Sequence, residues 1–198
     1  MTAPDSVWPA LEPLLPRVSK PVQYVGGELN ATVKEWDATT VRWALMYPDA
    51  YEVGLPNQGV MILYEVLNEL ADVLAERTYA VWPDLERLLR EHCVPQFTLE
   101  AHRPVGAFDL LGVSFATELG YTNLLTALDL AGIPLHSADR TEEHPIVVAG
   151  GTRRSTRSRS PTSSTPPSSA TVRRRSWTSP PRSGTGRRRA DPAAATSC

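Results

Sequence analysis

The sequence predicts an α/β fold, a parallel sheet with helices on both faces, carried by residues 1–151. Three observations predict it. Apolar runs short enough for strands alternate with longer stretches whose apolar residues recur at three-four spacing. "VRWALMYP" and "FDLLGVSFA" are apolar at nearly every position, as strands buried on both faces are. The alternation then stops at Gly150-Gly151, after which Val172 and Trp177 are the only large apolar side chains up to Cys198.

Residues 1–40 contain Pro4, Pro9, Pro13, Pro16 and Pro21, which predicts a short leading helix around "WPALEPLL" followed by an extended N-terminal arm. Residues 41–151 form the α/β domain. Its first strand is Val41 to Pro48. In "NQGVMILYEVLNELADVLAE", Val60, Leu63, Tyr64, Leu67, Leu70, Ala71 and Leu74 share one helical face, with Asn57 as the cap. "RTYAVWP" is the second strand. Asp84, following Pro83, caps a short helix that uses Leu85, Leu88 and Leu89. Phe108 to Ala116 is a buried strand. The helix after it, "ELGYTNLLTALDLAG", turns Tyr121, Leu124, Leu125 and Leu128 inward and ends at Gly132. "IPLHSA" and a buried "PIVVAGG" complete the alternation as strands.

Charge divides the chain at the same place. Residues 1–151 hold 9 Lys/Arg and 21 Asp/Glu, whereas residues 152–198 hold 11 Arg and a single Asp. The overall net charge of −2 therefore describes neither part. The acidic part disfavours nonspecific nucleic-acid binding. The basic part is too poor in apolar side chains to offset the entropy of ordering, so residues 152–198 are expected to be a disordered tail. With 2 cysteines, Cys93 and Cys198, neither a disulfide framework nor a four-cysteine metal site is available within one chain. No signal peptide or membrane-spanning run is evident, which points to the cytoplasm and to no membrane partner.

Ligands of open parallel sheets bind beyond the carboxyl ends of the strands. Three loops leave the strands there: "PDAYEVG" with Asp49, Tyr51 and Gly54, "SFATELG" with Ser114, and the pair Gly150-Gly151. These six residues are the candidate cofactor-binding positions, since glycine allows close backbone approach and a serine hydroxyl hydrogen-bonds. The same residues also serve turns and strand ends, Asp49 as a turn cap and Gly54 as its hinge. Glu118 sits where a helix dipole favours an acid. His92, His102, His136 and His144 lack metal-ligand spacing and are expected at the surface, and Cys93 is expected half-buried. No catalytic residue and no metal ligand emerges from spacing.

"LEPLLPRVSKPVQYVGGELNATVKEWD", "YPDAYEVGLPNQGVMILYEVLN", "WPDLERLLRE" and "LGVSFATELGYTNLLTALDLAGIPLHSADR" resemble the start of bacterial radical SAM proteins with an N-terminal cobalamin-binding-like domain. The resemblance covers Leu11 to Gly151. It implies a flavodoxin-like domain, here incomplete, followed in the parent by a barrel. There, a cysteine triplet holds a [4Fe–4S] cluster that cleaves S-adenosylmethionine to act on an unknown substrate. It further implies that Tyr51 occupies the place of a cobalt-ligating histidine, with Ser114 and Gly150-Gly151 matching the later cobalamin loops. A neutral tyrosine is a poor substitute for imidazole.

The cysteine triplet is missing from this chain. The restricted Thr/Arg/Ser/Pro/Ala alphabet of residues 152–198 is that of GC-rich DNA read out of frame. Assigning allowed codons from Thr152 and reading from the third base permits "AAFNPEPIADFIDAAVIGDGEEAVLDI". That string has a foldable pattern and resembles the family's continuation after its glycine pair. The alternatives are an Arg-rich tail that binds nucleic acid by neutralising phosphates and a stand-alone corrinoid-binding module.

Overall fold

A strand that is apolar at successive positions can be buried only if both faces of its sheet are covered, and Val41–Tyr47 (β1) meets that condition. In the computed structural model, which describes residues 4–37 and 40–151, β1 is flanked by two parallel neighbours. Val73–Tyr79 (β2) pairs on one side and Leu110–Phe115 (β3) on the other, and Ile146–Gly151 (β4) pairs with β3. The order β2-β1-β3-β4 is entirely parallel. All four carboxyl ends therefore lie along one rim, and the order reverses between β1 and β3. The α/β expectation holds. The tail expectation, residues 152–198, lies outside the described residues.

Side-chain alternation divides the core into two. Leu45, Tyr47, Ala75 and Tyr79 face one layer, with Val60 and Tyr64 of Gln58–Glu69 (α3) and Leu85, Leu88 and Leu89 of Pro83–Glu91 (α4). Ala44, Met46, Leu111 and Val113 face the other, with Ala127 and Leu128 of Gly120–Leu130 (α5). Each fully buried Leu or Val contributes about 1.5–3 kcal/mol relative to exposure.

The expected short leading helix is present at Trp8–Leu11 (α1), but it runs into 3-10 turns at Glu12–Arg17 and Pro21–Tyr24 where an extended arm was expected. Leu11, Leu14, Leu15, Val18 and Tyr24 are buried in the same layer as α4. The prolines that suggested an arm are compatible with tight turns, because proline fixes φ near the helical value.

Several local expectations change. The helix predicted to run through Leu74 stops at Glu69, and Leu74 lies in β2. No glycine ends α3. Asn68 instead accepts from Ala75 N at 3.1 Å and donates to Ala75 O at 3.0 Å. Lys34 Nζ, from a remote segment, donates to the carbonyls of Asn68, Leu70 and Val73. Ile133–Ala138 forms no strand, as a 3-10 turn begins at Ser137. In α5, Tyr121 and Leu125 are exposed while Ala127 and Leu128 are buried, because the helix meets only one face of the sheet. The strand at β4 exists but is not buried: Ile146 and Val148 are 66% and 45% exposed at the sheet edge.

The opposite edge, β2, is sealed by the segment at 96–100. Leu99 N donates to Arg77 O, Thr78 Oγ1 to Phe97 O, and Gln96 Nε2 to Tyr79 O. Glu100 reproduces a ladder acceptor by taking the Arg77 N–H at 2.7 Å. This accounts for burial at every position of β2 despite its charged Glu76 and Arg77.

Candidate functional site

The rim where the order reverses brings together the loop after β1 and the loop after β3. Pro48 leaves β1 and packs on Gly120, where an added Cβ would come within 2.8 Å of Pro48 Cγ. Asn123 Nδ2 of α5 donates to Pro48 O at 3.1 Å. These contacts tie the loop after β1 to the start of α5.

Each sequence-derived candidate has a defined place. Asp49 Oδ1 accepts from Ala50 N at 2.8 Å, and Asp49 O accepts from Ala80 N at 2.9 Å, which ties the loop to the end of β2. That is the turn-capping role. Tyr51 opens the short helix Tyr51–Gly54 (α2) and turns toward β2, its ring edge-on to Tyr79 at 5.7 Å. Burial raises the Tyr51 pKa, and the nearby Glu28 carboxylate, which takes its hydroxyl hydrogen bond, raises it further. Gly54 is not open to a ligand, because a Cβ there would lie 2.4 Å from the Tyr79 ring.

Ser114 and Gly150 lie opposite one another in the β3–β4 register, as do Phe115 and Gly151. Gly151 has φ +143, and a Cβ there would meet Phe115 O at 1.9 Å, so backbone contact demands a glycine. Gly150 has open space at its Cβ position. The structure thus joins Ser114 with the glycine pair, while the contacts of Tyr51 with Tyr79 and Glu28 lie on the β2 side. Tyr51 has its hydroxyl engaged by Glu28 and its ring by Tyr79, so the β1 loop does not fit a corrinoid through this residue.

The strongest electrostatic feature is one that spacing did not single out. Arg77 of β2 has a side chain only 2% exposed and pairs with Glu100, whose side chain is fully buried, at 2.6 Å. It also reaches Glu28 at 3.3 Å and stacks over the Tyr64 ring at 4.6 Å. Burial pushes Glu100 up to about 7 against the opposing pull of Arg77; burial also opposes the charge of Arg77, but Glu100 first and then Glu28 outweigh it and raise the Arg77 pKa. On the other face, buried Glu76 accepts from Thr98 Oγ1 at 2.5 Å and pairs with Arg103. The available signal was a charged pair, Glu76-Arg77, inside an apolar run. It was hidden because the three-four spacing of α3 runs on to Leu74, which puts Glu76 at the end of the helical stretch and Arg77 at the start of the strand.

His102 corrects the expectation of surface histidines. It is 9% exposed, stacked on Phe97 and tilted against Trp8, and its Nε2 lies 2.9 Å from Tyr24 O. Cys93 is exposed at φ +53 instead of half-buried. Glu118 precedes the first turn of α5 and is exposed. Among the described residues no three His, Cys, Asp or Glu side chains are grouped to hold a metal ion, and no helix is long and apolar enough to cross a membrane.

Residues 59–162, more than half of the chain, match the family model described as radical SAM proteins, N-terminal. The chain belongs to this family. The radical SAM N-terminal match takes in α3 through β4, with Ser114 and the glycine pair, and begins after Asp49, Tyr51 and Gly54. It also runs past Gly151. Comparison with curated proteins and with solved structures found no match.

Proposed function

We propose that residues 4–151 are the non-catalytic N-terminal domain of a radical SAM protein whose cluster-binding barrel lies downstream in another reading frame, and that the stretch after Gly151 is read out of frame. The observation that carries the first statement is the family match from residue 59 onward, over α3 through β4. The second is supported by the abrupt change at Thr152 and by the alternative phase that restores an apolar pattern.

In the intact protein, a [4Fe–4S] cluster and S-adenosylmethionine would supply reductive cleavage. A cluster bound by three cysteines cannot be built from the 2 in this chain. The domain's own contribution is a parallel sheet with α3 and α4 packed on one face and α5 on the other. We assign it no corrinoid.

Anaerobic reconstitution with iron and sulfide tests the reading. The chain as given is expected to acquire no cluster and to form no 5′-deoxyadenosine. The product of the corrected reading frame is expected to bind about four irons per chain and to cleave S-adenosylmethionine under reduction. A cluster on the present chain, or none on the corrected product, contradicts it.

A further inference from the structure

A small chamber lies between the turn at Pro21–Tyr24, the end of β2 and residues 96–99. Its volume open to the centre of a water molecule is about 10 Å³, and its walls include Gln23, Tyr51, Tyr79, Gln96, Phe97 and Leu99. Three of these residues carry a buried polar atom with no hydrogen-bond partner among the described residues: Gln23 Oε1, Tyr79 Oη and Gln96 Oε1. The three residues are 2%, 6% and 2% exposed. An empty apolar gap would leave each of them desolvated without compensation.

The donors and acceptors define the occupant. Gln96 Nε2 already donates to Thr78 Oγ1 at 2.9 Å and to Tyr79 O at 2.8 Å. Gln23 Nε2 donates to Glu52 Oε1 at 2.7 Å. Both amides are thereby oriented, and the atom each has left over is an acceptor. Burial raises the Tyr79 pKa, so its hydroxyl keeps its proton at neutral pH and is a donor. The missing partner must donate twice and accept once.

We propose that one ordered water occupies this chamber, donating to Gln23 Oε1 and Gln96 Oε1 and accepting from the Tyr79 hydroxyl. The volume suits a single water, and three partners is the usual number for a buried one. The water joins three elements distant in sequence: the N-terminal turn, the end of β2 and the segment that seals its edge. It makes the carboxyl end of β2 a filled joint beside Tyr51 and not an open ligand pocket.

The test uses the full chain. A crystal structure of the wild type is expected to show a peak about 2.6–3.2 Å from all three atoms. Oxygen-17 relaxation dispersion is expected to lose the amplitude of one long-lived water in Tyr79→Phe and in Gln23→Leu. Tyr79→Phe keeps the ring contacts with Tyr51 and Gly54. An empty chamber, a chamber filled by a side chain, or unchanged amplitude in both folded variants would overturn the proposal. So would occupancy that depends on added ammonium or potassium, since a cation needs acceptors only.

Discussion

Gly54 and Gly150 are the same residue type at the same rim, and their surroundings are opposite. At Gly54 the Cβ space is taken by Tyr79, which is itself only 6% exposed and cannot swing away. Gly54→Ala is expected to lower stability by about 1–3 kcal/mol through overpacking, read from denaturant unfolding. At Gly150 an added Cβ meets nothing within 4 Å, and Gly150→Val is expected to change stability by no more than about 0.5 kcal/mol. Gly150→Val also bears on the corrinoid alternative. No red complex is expected on incubating the wild type with cobalamin, and one that Gly150→Val weakens would contradict the assignment. Sequence could flag both glycines as turn or strand-end residues. It could not say which had a ring pressed against it, because that ring comes from another strand.

His102 supplies a pH dependence at the same scale. Burial lowers its pKa below the usual 6.5, against smaller opposing effects of Tyr24 O and Glu28. The folded state prefers the neutral ring, so its contribution is complete above pH 6.5 and is lost as pH falls through the lowered folded value. The wild type is expected to lose stability as pH falls below 6.5 more steeply than His102→Asn, with urea unfolding as the measurement. Asparagine tolerates the positive φ of 52 at this position. Equal slopes would remove His102 as the cause.

At the scale of elements, what was legible depended on where the signal resided. The start of α3 is local: Asn57 Oδ1 accepts from Val60 N at 3.1 Å, as the sequence predicts. The end of α3 is not local, because Lys34 donates to the Asn68 and Leu70 carbonyls, the Asn68 side chain bonds Ala75 of β2, and the strand follows at once. The burial of β4 was misjudged for a related reason. Apolar composition signals a strand but not whether a neighbour covers it. Ile146 and Val148 remain exposed, and on the same layer Ile62, Leu63, Val66 and Leu70 of the α3 region are about half exposed. "IVVAGG" carries no charge or proline to discourage edge pairing. Val148→Lys is therefore expected to reduce concentration-dependent self-association in light scattering while leaving circular dichroism unchanged. Unaltered association would place the contact elsewhere.

At the scale of the whole molecule, the break in character at Gly151 was the most legible feature. Composition and charge change together there, and neither depends on tertiary structure. The α/β class and the parallel sheet followed from alternation alone. The buried Arg77–Glu100–Glu28 cluster did not, since its members come from three segments that only the fold assembles. A basic extension selected to bind nucleic acid would give binding that weakens steeply with salt and disappears on deleting Thr152 to Cys198. An out-of-frame extension has no reason to show sequence preference or a defined stoichiometry.

Sequencing the DNA through the codons around Gly151 and translating all phases onward separates these accounts most directly. The expected result is a second phase that continues with alternating helix and strand patterns and reaches a Cys-x-x-x-Cys-x-x-Cys motif downstream. A sequence in which every other phase is interrupted or lacks a globular pattern would contradict the account.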